Sequence, residues 1–354
     1  MGMTLCTHFG ACGGCLLQDV PPADYAAGKR AAVQHALMQA GVGVEVDMPV
    51  LVPPHSRRRA VFKIKSEPDG VHVGFHAARS HTIVDMQQCA VLTPGLFGLV
   101  ATLRRALAPV FGAGEAAELH VTETPAGFDA AFRWKRALTP ALAAELSRRL
   151  AGSGIARLVL NGERVFETAV PAIAFDGIAV KLPPGAFLQS SAEGEAALQA
   201  RVRTLVGKAK AVADLFSGVG TFALPLAKTA KVHAVEQDAP ALAALTAAAK
   251  APGLKPVTTE ARDLFRLPLT LPELAPYDAV VMDPPRAGAE AQARLLAKSK
   301  VPVIAYVSCD AASFARDAAI LVAGGYAIGT VTPVDQFLWS SHIELVAGFR
   351  KKKT

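Results

Sequence analysis

The sequence predicts an α/β chain in two parts, a mixed α+β domain over residues 1–184 and a doubly wound, parallel-sheet domain over residues 185–354. Three observations carry this. At 354 residues the chain is too long for one ordinary core, and 51% of it is hydrophobic, enough to bury two. Before Pro183 the apolar runs are short, β-type and separated by turn residues. After Pro183-Pro184-Gly185, apolar strands alternate with Ala-rich helical stretches, the rhythm of strands joined by crossover helices.

In the first part Tyr25–Ala40 reads as a helix that stops at Gly41. Arg58–Lys65, Gly70–Phe75 and His81–Met86 read as strands, with Glu67-Pro68-Asp69-Gly70 a strong turn between the first two. A helix over Gly98–Leu107, strands over Leu119–Thr124 and Phe128–Trp134, a helix over Pro140–Ala151 and a strand over Ile155–Leu160 follow. Strands over Ala172–Phe175 and Ile178–Leu182 close this part. The second part opens with helix Ala192–Val206, the strand Ala211–Phe216, a Gly-rich turn and helix Thr221–Ala227. Strand Lys231–Glu236, helix Pro240–Lys250, strands Pro256–Thr259 and Ala279–Met282, and helix Glu290–Lys298 continue it. Strand Val303–Val307, helix Ala311–Leu321 and two last strands, Tyr326–Thr330 and Ile343–Phe349, predict an antiparallel ending.

Five cysteines are placed unevenly. Cys6, Cys12 and Cys15 crowd the N-terminus, Cys89 follows, and Cys309 stands alone. Four alignable thiols suit a soft metal or an iron–sulfur cluster, zinc included, and the odd count suits a reducing cytoplasm better than a disulfide framework. The N-terminus shows no signal-peptide pattern, and no apolar stretch is long enough to span a bilayer. A formal net charge of +7 favours a polyanionic partner such as RNA.

In doubly wound sheets ligands sit beyond the carboxyl ends of the strands, and the chemically suggestive residues of the second part fall there. In Asp214-Leu-Phe-Ser-Gly218-Val-Gly220-Thr221, two glycines let the backbone pass close to a ligand. Glu236 ends the next strand, placed to take the two hydroxyls of a ribose, and Asp263 follows the third, within reach of an adenine amino group. The turn lacks the Lys-Ser/Thr pair of a phosphate loop, so S-adenosylmethionine, which carries no phosphate, suits it better than a nucleotide. Asp283-Pro284-Pro285-Arg286 ends a further strand, where prolines stiffen the loop and Asp283 can meet the polar edge of a planar base. Cys309 lies just past an apolar run and before a helix, a position for a reactive thiol, and Glu344 is an acid inside an otherwise apolar strand, a position for a base in a dry cleft.

Taken together, Cys-Thr-His-Phe-Gly-Ala-Cys-Gly-Gly-Cys, His81-Thr-Ile-Val-Asp-Met with Cys89, Phe187-Leu-Gln189, Asp-Leu-Phe-Ser-Gly-Val-Gly-Thr-Phe, Asp-Pro-Pro-Arg-Ala-Gly, Ser-Cys-Asp and His-Ile-Glu resemble the uracil-5 RNA methyltransferases over nearly the whole chain. The resemblance implies a C-terminal Rossmann-like S-adenosylmethionine methyltransferase domain behind an N-terminal α+β RNA-binding domain. It makes Cys309 the nucleophile and Glu344 the general base. Gln189, Phe216, Glu236, Asp263 and Asp283 would line the S-adenosylmethionine and uracil site, with Gly218 and Gly220 in the motif turn. Cys6, Cys12, Cys15 and Cys89 would carry a 4Fe-4S cluster.

That chemistry accounts for the residue types. Carbon 5 of uracil is a poor nucleophile until a thiolate adds to the neighbouring carbon, and a base must then remove the ring proton. A base inside folded RNA must also be extruded, at a cost of roughly a few kcal/mol. Arg57, Arg58, Arg59, Lys63 and Lys65 are candidates to offset it through phosphate contacts. Many members of the family carry a small β-barrel ahead of the cysteines; this chain begins a few residues before Cys6, so that module is expected to be absent. The cysteine cluster favours ribosomal RNA over transfer RNA as substrate, acted on by a monomer. The rival readings are a transfer RNA enzyme and a non-catalytic RNA-binding or assembly protein with a zinc site, which has no need for both Cys309 and Glu344.

Overall fold

The computed structural model describes residues 6–352. Helix α1 (Pro22–Gln39) and the two-residue strand β1 (Val50–Leu51) come first. Then follow β2 (Arg59–Glu67), β3 (Gly70–His76), β4 (Ile83–Asp85), α2 (Pro94–Leu107), β5 (Ala116–Thr124), β6 (Gly127–Trp134), α3 (Pro140–Leu150), β7 (Ile155–Leu160) and β8 (Glu163–Glu167). These strands form a seven-stranded sheet in the order β4-β3-β2-β5-β6-β7-β8, in which only β6 and β7 run parallel. Alternation along β2 sends Ala60, Phe62 and Ile64 inward, and Ala117, Leu119 and Val121 of β5 do the same. Helix α2 covers them with Leu96, Leu99, Val100, Leu103 and Leu107, three and four residues apart on one face. The hydroxyl of Thr93 caps it by accepting from Leu96 N at 3.2 Å.

A short hairpin, β9 (Ala172–Phe175) and β10 (Ile178–Lys181), leads to the second sheet. Its elements are α4 (Ala192–Val206), β11 (Ala211–Leu215), α5 (Ala223–Leu226), β12 (Lys231–Glu236), α6 (Ala239–Ala248), β13 (Val257–Ala261), α7 (Leu271–Leu274), β14 (Ala279–Met282), α8 (Glu290–Lys298) and β15 (Val303–Ser308). Helix α9 (Ala311–Ala323), β16 (Tyr326–Ile328), β17 (Thr332–Asp335) and β18 (Glu344–Lys351) complete it. The strand order is β1-β17-β18-β15-β14-β11-β12-β13, with β16 also paired to β18. The five strands from β15 to β13 are parallel to one another and β18 is antiparallel to β15, as the alternating pattern predicts.

Period-two alternation serves both faces. Val212, Val281, Ala305 and Val346 pack beneath α4 with Leu198 and Val202, while Ala213, Val280, Ile304 and Ala347 pack on the other side against α8 and α9. The strand order reverses between β11 and β14, which opens a crevice at their carboxyl ends.

The packing departs from a simple division of the chain at residue 184. Val33 and Leu37 of α1, with Val42 and Val46, belong to the core around α9, and β1 extends the second sheet by pairing with β17. The β9–β10 hairpin packs Ile173, Phe175, Ile178 and Val180 against Leu224 and Ala241. Both segments therefore join the second body although they precede it in sequence. Strands β1, β8 and β17 and the short α7 add to the expected elements; Pro333 in β17 and the charged Glu163-Arg-Val-Phe-Glu of β8 hide the strand pattern. Among the described residues no helix is long and apolar enough to cross a membrane.

Candidate active site

A cavity of about 860 Å³ opens at the carboxyl ends of β11, β12, β14 and β15. Gln189, Phe216, Gly218, Glu236, Asp283, Cys309 and Glu344 all line it. Register explains how the last two meet. Ser308 of β15 pairs with Leu345 of the antiparallel β18, so Cys309, next along β15, comes beside Glu344 at the start of β18. Residues 35 apart in sequence thus reach one wall.

At one end of the cavity, Glu236 is held by backbone donors. Its Oε2 accepts from Gly218 N at 2.9 Å, and its Oε1 accepts from Gln237 N at 2.7 Å and Asp238 N at 2.8 Å. A carboxylate has about four acceptor sites, so one remains to meet a ligand hydroxyl in a fixed direction. Phe216 sits at φ +61°, a left-handed conformation unusual for a bulky side chain, and its ring lies 5.4 Å from that of Phe265. The buried Ser217 hydroxyl on the same wall has no hydrogen-bond partner among the described residues.

Two expected residues lie off the wall. Gly220 has φ +101°, and a Cβ there would stand 2.9 Å from Leu224 and 3.1 Å from Leu245, so this glycine lets helix and sheet approach. Asp263 is turned to its own loop, where Oδ1 accepts from Phe265 N at 2.9 Å and Arg266 N at 3.3 Å; Leu264 and Phe265 form the wall instead. The strand-end rule located the loop but not the side chain's local turn.

At the other end a chain of amides braces Asp283. Gln189 donates from Nε2 to Asp283 Oδ2 at 3.2 Å and accepts from Gln336 Nε2, and Gln336 Oε1 accepts from Ser190 N at 2.9 Å. Gly194 makes room for this clamp, since a Cβ there would lie 2.8 Å from Gln336 Cβ. Gln336, Phe337 and Arg286 line the cavity and were not singled out in the sequence as site residues. The first two sit in the connection after β17, the strand that Pro333 conceals.

Burial governs the electrostatics here. It pushes Glu344 up to about 8, helped by the charge of Asp283 and opposed by Gln336 and Arg286. Asp283 is pushed up to about 7 by burial against its bond from Gln189, and Asp214 is held well above the usual carboxylate range by burial and then by Asp283. The Cys309 thiol is pushed up to about 11 by burial, then by Glu344 and Asp283, with Arg286 opposing. Such a cleft favours a cationic ligand, whose charge would let these acids ionise.

These raised carboxyls bind protons in the folded chain that the unfolded chain has released, so stability falls as pH rises from the ordinary carboxyl range to about 8. Glu344→Gln is therefore expected to raise Tm by on the order of a few degrees at pH 8 and to change it little at pH 4. Calorimetry at the two pH values checks this.

The basic run of the first sheet is largely committed. Arg58 pairs with Glu195 at 2.7 Å, Lys65 with Glu67 at 2.6 Å, and Lys63 with Glu118. Arg57 and Arg59 line the cavity rather than an outer face, and Arg59 stacks 4.3 Å over the exposed Phe187 ring. The expected row of free phosphate-binding cations is thus reduced by pairing, within the sheet for Lys63 and Lys65 and to helix α4 for Arg58.

Cys6, Cys12, Cys15 and Cys89 line a second cavity of about 830 Å³. Backbone pairing docks the N-terminal loop there: Cys12 bridges Ala77, Gly13 N donates to His76 O at 2.9 Å, and Ala78 N to Ala11 O at 3.1 Å. All four thiols are free. Among the described residues no group of three or more His, Cys, Asp or Glu side chains is gathered closely enough to hold a metal ion.

The sheet order and the crevice are those of a Rossmann-like fold, the fold class of S-adenosylmethionine-dependent methyltransferases. The tRNA (uracil-5-)-methyltransferase family matches residues 149–352. An uncharacterised RNA methyltransferase of Rhizobium meliloti is 47% identical over 98% of this chain and 85% of its own length. The 23S rRNA (uracil(1939)-C(5))-methyltransferase RlmD of Chromohalobacter salexigens is 33% identical over 96% of this chain and 74% of its own length. In fold, the chain is similar to the Pyrococcus abyssi tRNA (uracil-54, C5)-methyltransferase solved with S-adenosyl-L-homocysteine, with a TM-score of 0.76 at 23% identity over 97% of this chain and 86% of that one. The chain belongs to the tRNA (uracil-5-)-methyltransferase family and is a methyltransferase.

Proposed function

We propose that the protein methylates carbon 5 of a uridine in ribosomal RNA through a covalent bond between Cys309 and the ring. The observation that carries this is the meeting of Cys309 and Glu344 on one cavity wall, beside a braced Asp283. S-adenosylmethionine, when bound, supplies an electrophilic methyl group and a positive charge. The fixed Glu236 carboxylate and the Phe216–Phe265 pair suit its ribose and adenine, and the acid-rich cleft suits its sulfonium.

Cys309 loses its thiol proton to solvent and its sulfur bonds to carbon 6 of uracil, moving the ring electrons toward carbon 5 and oxygen 4. Asp283, Gln189 and Gln336 offer donors and acceptors to the ring's polar edge. Once carbon 5 is methylated, Glu344 takes its proton, the double bond re-forms and the Cys309 thiolate leaves.

The four N-terminal cysteines are read as a 4Fe-4S site because four thiolates are the ligand set of such a cluster and all four line one cavity. The amide of Gln18, 6% exposed on the same cavity wall, faces the Cys15 thiol and partly offsets the burial that pushes that thiol up. When bound, the cluster would cross-link the N-terminal loop to Cys89.

The ribosomal reading rests on the likeness to RlmD over nearly the whole chain and on the cysteine set. Transfer RNA is the second reading, favoured by the family that the C-terminal part matches. Labelled methyl transfer to unmodified ribosomal and transfer RNA, followed by nucleoside analysis, is expected to yield labelled 5-methyluridine in the ribosomal fraction. Label confined to transfer RNA would overturn the choice of substrate, and label on another nucleoside would overturn the reaction.

A further inference from the structure

Between the two cavities lies one loop, residues 336–342, and two separate contacts tie it to the cysteine site. The first is backbone. Leu16 N and Leu17 N, directly after Cys15, both donate to Trp339 O, at 2.6 and 3.0 Å. Trp339 holds φ +59°, a left-handed conformation that costs an L side chain energy and needs its surroundings to impose it. The second contact is Arg57, which lines both cavities. Its guanidinium lies 5.8 Å from the centre of the Phe337 ring, and its backbone is pinned by Arg57 N to Val91 O at 2.9 Å and Thr93 N to Arg57 O at 3.0 Å.

The loop carries working parts at both ends. Gln336 closes the amide clamp on Gln189, and Phe337 lines the methyl-transfer cavity. His342 lies 3.1 Å from the Arg286 guanidinium. Its far side is anchored separately. Lys29 Nζ reaches Asp335 Oδ1 at 3.1 Å and His342 O at 2.5 Å, and Trp339 N donates to the Tyr25 hydroxyl at 2.8 Å. Helix α1 thus holds both ends of the loop and Trp339 N, while the contacts from the cysteine side hold Trp339 O and the Phe337 ring.

We propose that the cysteine site positions the 336–342 loop, with Arg57 and the Leu16–Leu17 backbone as the positioning elements, so that filling the site orders the clamp that receives the substrate ring. This rests on the reading of the four cysteines as a cluster site. Four thiolates carry more negative charge than the iron–sulfide core they hold carries positive, so a filled site attracts the Arg57 guanidinium and holds it against Phe337. It also fixes Cys15, and with it the two N–H groups that keep Trp339 in its left-handed state. The cofactor end of the cavity, built on Gly218 and Glu236, has no such link and stays as it is.

The test is hydrogen–deuterium exchange of the RNA-free protein, read at residues 335–343, with iron measured on each preparation. Iron-loaded protein, chelator-stripped protein, and iron-loaded Arg57→Met and Arg57→Lys are compared. Exchange in this segment is expected to rise roughly tenfold in the stripped protein and in Arg57→Met, the scale of one desolvated cation–π contact, and to be largely restored in Arg57→Lys. Residues 279–308, in the central sheet, report that each preparation is still folded, and the affinity for S-adenosylmethionine stays unchanged. Loaded protein whose loop exchange is unaltered by stripping overturns the positioning role while leaving the cluster reading intact. Protein that takes up no iron overturns the cluster reading, and unchanged loop exchange in Arg57→Met then overturns the Arg57 contact as well.

Discussion

Cys309→Ala is expected to lower methyl transfer by at least about 10⁴-fold, the scale on which loss of an attacking nucleophile acts, while S-adenosylmethionine affinity stays within about twofold. The separation follows from geometry. Cys309 sits at the end of β15 beside Glu344, whereas Glu236 and Gly218 sit at the ends of β12 and β11 at the other end of the cavity. Without the thiolate, carbon 5 lacks the electron density to attack, and no neighbouring group supplies it. The alanine leaves a small gap and removes a thiol whose ionised form burial disfavours, so folding should not suffer. Calorimetric titration with S-adenosylmethionine alongside single-turnover methyl transfer reads both quantities, and retained turnover would refute the covalent route.

Glu344→Gln should act later in the reaction. Bond formation at carbon 6 survives, the carbon 5 proton is not removed, and a protein–RNA adduct accumulates while turnover falls by roughly 10²- to 10⁴-fold. The same residue shapes the pH profile. Glu344 is pushed up to about 8 by burial and by Asp283, so in the free enzyme it is largely protonated at neutral pH and cannot serve as a base. The decay of the wild-type adduct should therefore quicken as pH rises towards about 8, and this limb should flatten in Glu344→Gln. Denaturing gels show the adduct, and rates across pH show the limb. A variant that forms no adduct and keeps the wild-type profile would remove Glu344 from the mechanism.

How far the site was legible depended on whether a residue's role is set by strand position or by distant packing. Cys309, Asp283 and Glu236 each stand at the end of a buried apolar run, and a doubly wound sheet gathers such ends into one crevice, to which the antiparallel β18 brings Glu344 at its start. Gln336 has no such local signature. Its value comes from Gln189, 147 residues away, and from the space left by Gly194. Asp263 was legible as a loop position, but which way its side chain turns is decided by two neighbouring backbone N–H groups. The same limit applied to the fold. Helix α1 has a clear helical pattern, yet nothing local says that Val33 and Leu37 pack with α9, some 280 residues on. Charge was the least informative feature, since Arg58 and Lys63 are neutralised by Glu195 and Glu118, which only the fold brings alongside, and Lys65 by Glu67 on its own strand.

The most direct test of the covalent reaction uses RNA bearing 5-fluorouridine in place of uridine, incubated with the protein and S-adenosylmethionine. Fluorine leaves no proton for Glu344 to remove, so addition and methyl transfer proceed and elimination stops. Peptide mass spectrometry is expected to find the methylated fluorouridine bonded to Cys309. No bonded nucleotide, or one bonded to any other residue, would contradict the account.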